Sequence, residues 1–69
     1  MNALIKNTST YQELNRRRSY WIERVNYYKF CIIDEPNSYF YKVALIQAEK
    51  AYNEANKELE EFIIKYKNN

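Results

Sequence analysis

The chain has no glycine and a single proline, Pro36, and these two facts constrain the fold more than any other feature. Without glycine, no residue adopts positive φ at low cost, so the tight turns that join strands into hairpins are disfavoured. Proline disfavours helix at the preceding residue and cannot donate a helical hydrogen bond. The sequence therefore predicts two long helices separated by one break around Pro36.

The first predicted helix covers residues 10–33, after an N-terminal segment at residues 1–9. Thr10 with Glu13, and Ser9 with Gln12, both have the spacing of a helix-capping box. Large or apolar residues then recur at alternating spacings of three and four, which is typical of one helix face packed against another helix. These positions are Tyr11, Leu14, Arg18, Trp21, Val25, Tyr28 and Ile32, with Arg18 as the one polar member.

The second predicted helix covers residues 38–66, between a loop at residues 34–37 and a tail at residues 67–69. Asn37 and Ser38 are both suitable N-caps. The same alternation recurs at Leu45, Ala48, Tyr52, Ala55, Leu59, Phe62 and Tyr66. Because a short connection makes consecutive helices antiparallel neighbours, we predict an all-α fold, a single two-helix antiparallel coiled-coil-like hairpin over residues 1–69.

Folding the chain at Pro36 sets bulky residues of the first helix against small residues of the second. In this register Val25 faces Ala48, Leu14 faces Leu59 and Tyr11 faces Phe62. A stripe of alanines lets the helices approach closely and leaves room for two aromatic side chains, Trp21 and Tyr28. The stripe consists of Ala44, Ala48, Ala51 and Ala55. We therefore expect Trp21 to belong to the core.

The sequence offers little for catalysis or for binding a cofactor. It has no histidine and one cysteine, Cys31, which excludes a disulfide within the chain and the usual Cys and His ligand set of a structural zinc site. Cys31 is expected to be a small apolar packing residue. Glu54, Glu58 and Glu61 lie at helical spacing among lysines, which predicts a solvated outer face. We expect no enzymatic activity, no catalytic residue, no metal, no cofactor and no small-molecule substrate.

The chain is also expected to be a cytoplasmic protein without a membrane span. Residues 1–7 contain an apolar stretch of only three residues, Ala3-Leu4-Ile5, which is too short for a secretion signal. No apolar run approaches the roughly 20 residues of a membrane-spanning helix. The many Asn, Lys, Tyr and Ile residues are typical of low-GC bacteria, their phages and mobile elements, so the expected compartment of a phage protein is the host cytoplasm.

Basic residues concentrate in the first half of the chain. Residues 1–33 carry a net charge of +4 and residues 34–69 carry −2, which gives +2 overall. The run Arg16-Arg17-Arg18 with Arg24 suits phosphate or an acidic protein surface. On a helix the three arginines project in different directions, with Arg18 towards the seam and Arg16 and Arg17 on the opposite side. A solvated face, a protein partner and nucleic acid all remain open.

A second aromatic stripe lies on the first helix away from the seam. Tyr20, Tyr27 and Cys31 recur at spacings of seven and four, with Phe30 beside them. A two-helix hairpin cannot cover this face, and exposed aromatic patches with arginine favour protein interfaces. We therefore predict a partner-binding surface formed by Arg16, Arg17, Tyr20, Arg24, Tyr27 and Phe30.

Together these features favour a small non-enzymatic protein-binding module. It would associate with itself as a homodimer, completing a helical bundle, or dock on a host protein complex such as defence machinery and inhibit it. One alternative is a small nucleic-acid-binding protein that uses Arg16–Arg18 and the tyrosines. Another is a structural coiled-coil piece of a larger assembly.

Overall fold

The computed structural model describes residues 5–68 and confirms the predicted helical hairpin. Helix α1 spans Ser9–Asp34, with 26 residues, and helix α2 spans Tyr39–Asn68, with 30 residues. The helices pack against each other along their lengths, and residues 5–68 contain no strand. The hairpin is a rod of 49 × 16 × 14 Å, whose length matches a helix of 30 residues at about 1.5 Å per residue.

Helix α1 begins at Ser9, directly after its N-cap, which is Thr8 rather than Thr10 or Ser9. Thr8 has extended backbone angles, φ −77° and ψ 145°, and its hydroxyl accepts a hydrogen bond from the Tyr11 N–H at 3.1 Å. The same hydroxyl donates to the Ile5 carbonyl at 2.8 Å, and the Thr8 N–H also donates to that carbonyl at 3.1 Å. The buried Ile5 and this turn fix Thr8 in the cap position, so the later candidates lie inside the helix.

The connection between the helices is a hydrogen-bonded turn around the single proline. The Glu35 N–H donates to the Cys31 carbonyl at 2.8 Å and ends α1. The Ser38 N–H donates to the Glu35 carbonyl at 3.1 Å, which places Pro36 at the second position of the turn, where its fixed φ is favoured. The Ser38 hydroxyl accepts from the Tyr41 N–H at 3.3 Å, so Ser38 caps α2 as the sequence allowed.

The core is narrow and follows the two predicted seams. The buried apolar residues are Ile5, Val25, Ala48, Ala55 and Leu59. Four of them are seam positions, and Leu59 is only 1% exposed. Tyr66 departs from the prediction, because it is 38% exposed. Tyr66 lies in the last turn of α2, and its ring centroid is 6.0 Å from that of Phe62.

Candidate protein-binding surface

Ten large apolar side chains of the hairpin are exposed to solvent. The exposed ones are Tyr20, Ile22, Tyr27, Phe30, Ile33, Tyr39, Phe40, Ile46, Ile64 and Tyr66. This set is larger than the buried core, and it is most exposed near the loop, where Ile33 and Tyr39 are 81% and 80% exposed. Exposed apolar surface on this scale is typical of interaction sites rather than of isolated monomers.

We call the surface formed by Tyr20, Arg24 and Tyr27 the aromatic face of α1. Its two tyrosines supply most of its apolar area. Tyr20 and Tyr27 are each 52% exposed and lie seven residues apart on α1. Each ring meets the ring of the following residue edge-on, with centroids 5.0 Å apart for Tyr20 and Trp21 and 5.4 Å apart for Tyr27 and Tyr28. Because neighbouring rings support them, these tyrosines lose less side-chain freedom when a partner covers them.

Arg24 lies between the two tyrosines in sequence and is held by aromatic rings. Its guanidinium carbon is 5.6 Å from the Tyr27 ring centroid and 5.0 Å from that of Tyr28. Its Nη2 donates to the Tyr28 hydroxyl at 2.5 Å. Cation–π contact and this hydrogen bond orient a group that has five N–H donors in all. The aromatic face therefore combines ring surface with an ordered donor.

The other two arginines of the predicted surface, Arg16 and Arg17, form ion pairs with carboxylates of the hairpin itself. Arg16 Nη1 lies 3.1 Å from Glu13 Oε2, and Arg17 Nε lies 3.9 Å from Glu13 Oε1. Arg17 Nη1 also reaches Glu58 Oε2 on α2, at 3.2 Å. The expectation that Arg17 points away from α2 and that Glu58 lies on a solvated outer face is therefore wrong. Both residues directly precede a seam position, Arg18 or Leu59, and flanking positions of this kind form ion pairs between helices.

The remaining predicted residues behave in different ways. Arg18 is half-buried at the seam, as expected, and its Nη2 donates to Asn15 Oδ1 at 2.8 Å. Phe30 is 70% exposed. Within residues 5–68, no ring contact joins Phe30 to Tyr20 or Tyr27. The structure thus brings Tyr20, Arg24 and Tyr27 together and leaves Phe30 at the margin of their surface.

Sequence reasoning missed a hollow that runs beside the aromatic face, between the two helices. Two adjoining depressions share Tyr28, Ala44 and Gln47, so they form one continuous hollow that we call the furrow. Its lining comprises Tyr20, Trp21, Arg24 and Tyr28 of α1 and Tyr39, Phe40, Val43, Ala44, Gln47 and Ala48 of α2. The spacing of Phe40, Ala44 and Gln47 by four and three was the available signal for a second stripe on α2.

Cys31 lies close to two tyrosines near the loop. It is a half-buried free thiol. A hydrogen bond with the Cys31 side chain raises the pKa of Tyr27, and electrostatic repulsion from Cys31 raises the pKa of Tyr41. Both effects concern alkaline conditions, because an ordinary tyrosine has a pKa of about 10. Among the described residues, no group of three or more His, Cys, Asp or Glu side chains is placed to hold a metal ion.

Neither helix, within residues 5–68, has a segment that is both long and apolar enough to span a bilayer. No family model matches the chain, and no curated protein or solved structure is significantly similar to it.

Proposed function

We propose that the chain is a non-enzymatic protein-binding module and that its binding surface is the aromatic face of α1. Tyr20 and Tyr27 anchor the surface, Arg24 lies between them, and Arg16, Arg17 and Phe30 form its rim. The observation that carries the proposal is that two tyrosine rings remain half exposed while neighbouring rings hold them in place. Preordered Tyr and Arg side chains are the groups that most often dominate protein interfaces.

The energetics of the exposed rings support a partner that covers them. Complete burial of a large apolar side chain contributes roughly 1.5–3 kcal/mol. Tyr20 and Tyr27 are already about half covered within the hairpin, so burial of the rest contributes about 1 kcal/mol for each ring. Arg24 adds directed hydrogen bonds and can stack on a partner ring. These contributions suit a specific protein contact better than a loose electrostatic one.

The state of the basic residues favours protein over nucleic acid as the partner. Arg16 and Arg17 form ion pairs with Glu13 and Glu58, and Arg24 is stacked on tyrosines. Phosphate would have to compete with these carboxylates for the same guanidinium groups. A net charge of +2 adds little long-range attraction to a nucleic acid. Nucleic-acid binding is therefore the alternative outcome of the test below.

The proposal extends to a setting in the cytoplasm and to a mode of action. A binding module of 69 residues can act by occupying a surface of another protein, and blocking a host protein complex such as defence machinery is the action that we propose. The AT-rich codon bias implied by abundant Asn, Lys, Tyr and Ile supports a phage or mobile-element origin.

A pair of double variants tests the surface. The first is Tyr20→Ala with Tyr27→Ala, and the control is Ile46→Ala with Ile64→Ala, which removes two comparably exposed apolar side chains from the outer side of α2. Each tagged protein is isolated from the cells that produce it, at low and at high salt. We expect the tyrosine variant alone to lose its bound protein. A partner that is lost from the wild type at high salt and proves to be nucleic acid would overturn the proposal.

A further inference from the structure

We infer that the furrow is an interface between two copies of this chain, which pack face to face with α1 of each copy against α2 of the other. This inference rests on the proposed function, because the aromatic face borders the furrow and Tyr20 and Arg24 belong to both. It names a second copy as one protein that this surface binds.

The exposed area of the hairpin supports a partner of this size. A folded monomer of 8.5 kDa is expected to expose about 4,700 Å². The hairpin exposes 5564 Å², so the excess is about 900 Å². Each partner in a standard protein interface buries about 800 Å². One such interface would therefore bring each copy to the exposed area of an ordinary globular protein.

The shape of the furrow is complementary to itself, which favours a second copy over an unrelated partner. Its α1 side is bulky and is formed by Tyr20, Arg24 and Tyr28. Its α2 side is bulky near the loop, at Tyr39, Phe40 and Val43, and low further from the loop, at Ala44 and Ala48. If α1 of one copy lies on α2 of the other, the bulky α1 side of each copy packs on the low part of its partner's α2 side. Close packing of helices requires large residues to lie against small ones.

The charge distribution favours the same arrangement. Helix α1 carries five basic and three acidic residues, a net charge of +2, whereas α2 carries five of each and is neutral. Placing α1 against α2 of the second copy pairs a positive helix with a neutral one, whereas α1 against α1 would join two positive ones. Two-fold symmetry then puts both loops at the same end of the dimer.

Sedimentation equilibrium of matched variants tests the dimer. Gln47→Arg adds a charge in the furrow beside Arg24, and Asn53→Arg makes the same kind of change at an exposed α2 position outside the furrow. We expect the wild type and Asn53→Arg to sediment at twice 8.5 kDa. Gln47→Arg should raise the dissociation constant about tenfold or more, with unchanged helicity by circular dichroism. A monomeric wild type, or equal dissociation constants for both variants, would overturn the inference.

Spin labels test the arrangement within the dimer. A single label is attached to a cysteine in place of Asn37, in the loop, on a Cys31→Ser background. The proposed packing predicts a distance between labels far below the 49 Å length of the hairpin. A distance close to that length places the loops at opposite ends and rules out α1 against α2. A monomer that still loses its cellular partner through Tyr20→Ala with Tyr27→Ala would refute the dimer alone and leave the proposed function standing.

Discussion

Arg17 of α1 and Glu58 of α2 form a salt bridge with 3.2 Å between Nη1 and Oε2, and within residues 5–68 no other ion pair joins the two helices. Both side chains are 53% exposed, so solvent screens the interaction. Glu13 lies 3.9 Å from Arg17 Nε and shares the same guanidinium. The bridge therefore favours one register of the helices more than it stabilises the fold.

A double-mutant cycle measures this pair. We expect the coupling energy from Arg17→Ala, Glu58→Ala and the double variant to be about 0.2–1 kcal/mol in chemical denaturation. High salt should reduce the coupling towards zero, because exposed charges are screened. Arg16→Ala with Glu58→Ala is the control cycle, since Arg16 pairs with Glu13 and not with Glu58. Coupling of equal size in the control would contradict the assignment.

Substitution by aspartate should have very different effects on stability at two positions of α2. Leu59 is 1% exposed, whereas Lys50 is exposed. Leu59→Asp buries a carboxyl group without a partner and should destabilise the hairpin by about 3 kcal/mol or more. Lys50→Asp introduces the same residue on the outside and should cost about 0.5 kcal/mol. Thermal melts followed by circular dichroism compare the two, and equal melting temperatures would refute the assigned faces.

Thr8 and Thr10 are two residues apart but should contribute differently to the stability of α1. Thr8 accepts a hydrogen bond from Tyr11, while Thr10 lies exposed inside the helix. Thr8→Ala should cost about 1 kcal/mol because it leaves a helical N–H without its partner. Thr10→Ala should be neutral or slightly stabilising, since alanine has the higher helix propensity. The free energy of unfolding of each variant decides whether the cap is Thr8.

Alkaline titration tests the effect of Cys31 on its tyrosine neighbours. The pKa of Tyr27 and of Tyr41 is raised in the folded protein, so these groups lose their protons first in the unfolded state. Stability should therefore fall as pH rises above about 10, from the unfolded pKa towards the folded one. In Cys31→Ser both tyrosines should titrate at lower pH, followed by NMR of labelled tyrosine. Partner binding at neutral pH should be unchanged, because the proposal assigns no chemistry to the thiol.

The sequence predicted the hairpin well because the periodicity of apolar residues specifies which helix faces meet. Val25, Ala48, Ala55 and Leu59 are buried as the three-four alternation requires. The absence of glycine and the position of Pro36 left one place for the turn. These features are local or periodic, and a single sequence records them directly.

Other features depend on where the helices end and on contacts between them. Tyr66 continues the pattern of α2 but is exposed in the last turn of the helix, because periodicity marks a helix face and not how much of that face is covered. Thr8 and Thr10 have the same side chain, and the turn at Ile5 decides between them. The pairing of Arg17 with Glu58 and the lining of the furrow require a three-dimensional register, which spacing within one helix does not supply.

If protein covers the aromatic face of α1, position-specific photo-crosslinking from that face will capture it. Benzoylphenylalanine replaces Tyr20 or Tyr27 in one set of proteins and Lys50 or Asn53, on exposed parts of α2, in the control set. After irradiation in the producing cells, we expect adducts with protein, either a second copy or another chain, from Tyr20 and Tyr27 and much weaker adducts from the controls. Equal yields from all four positions, or adducts with nucleic acid alone, would show that protein does not specifically cover this face.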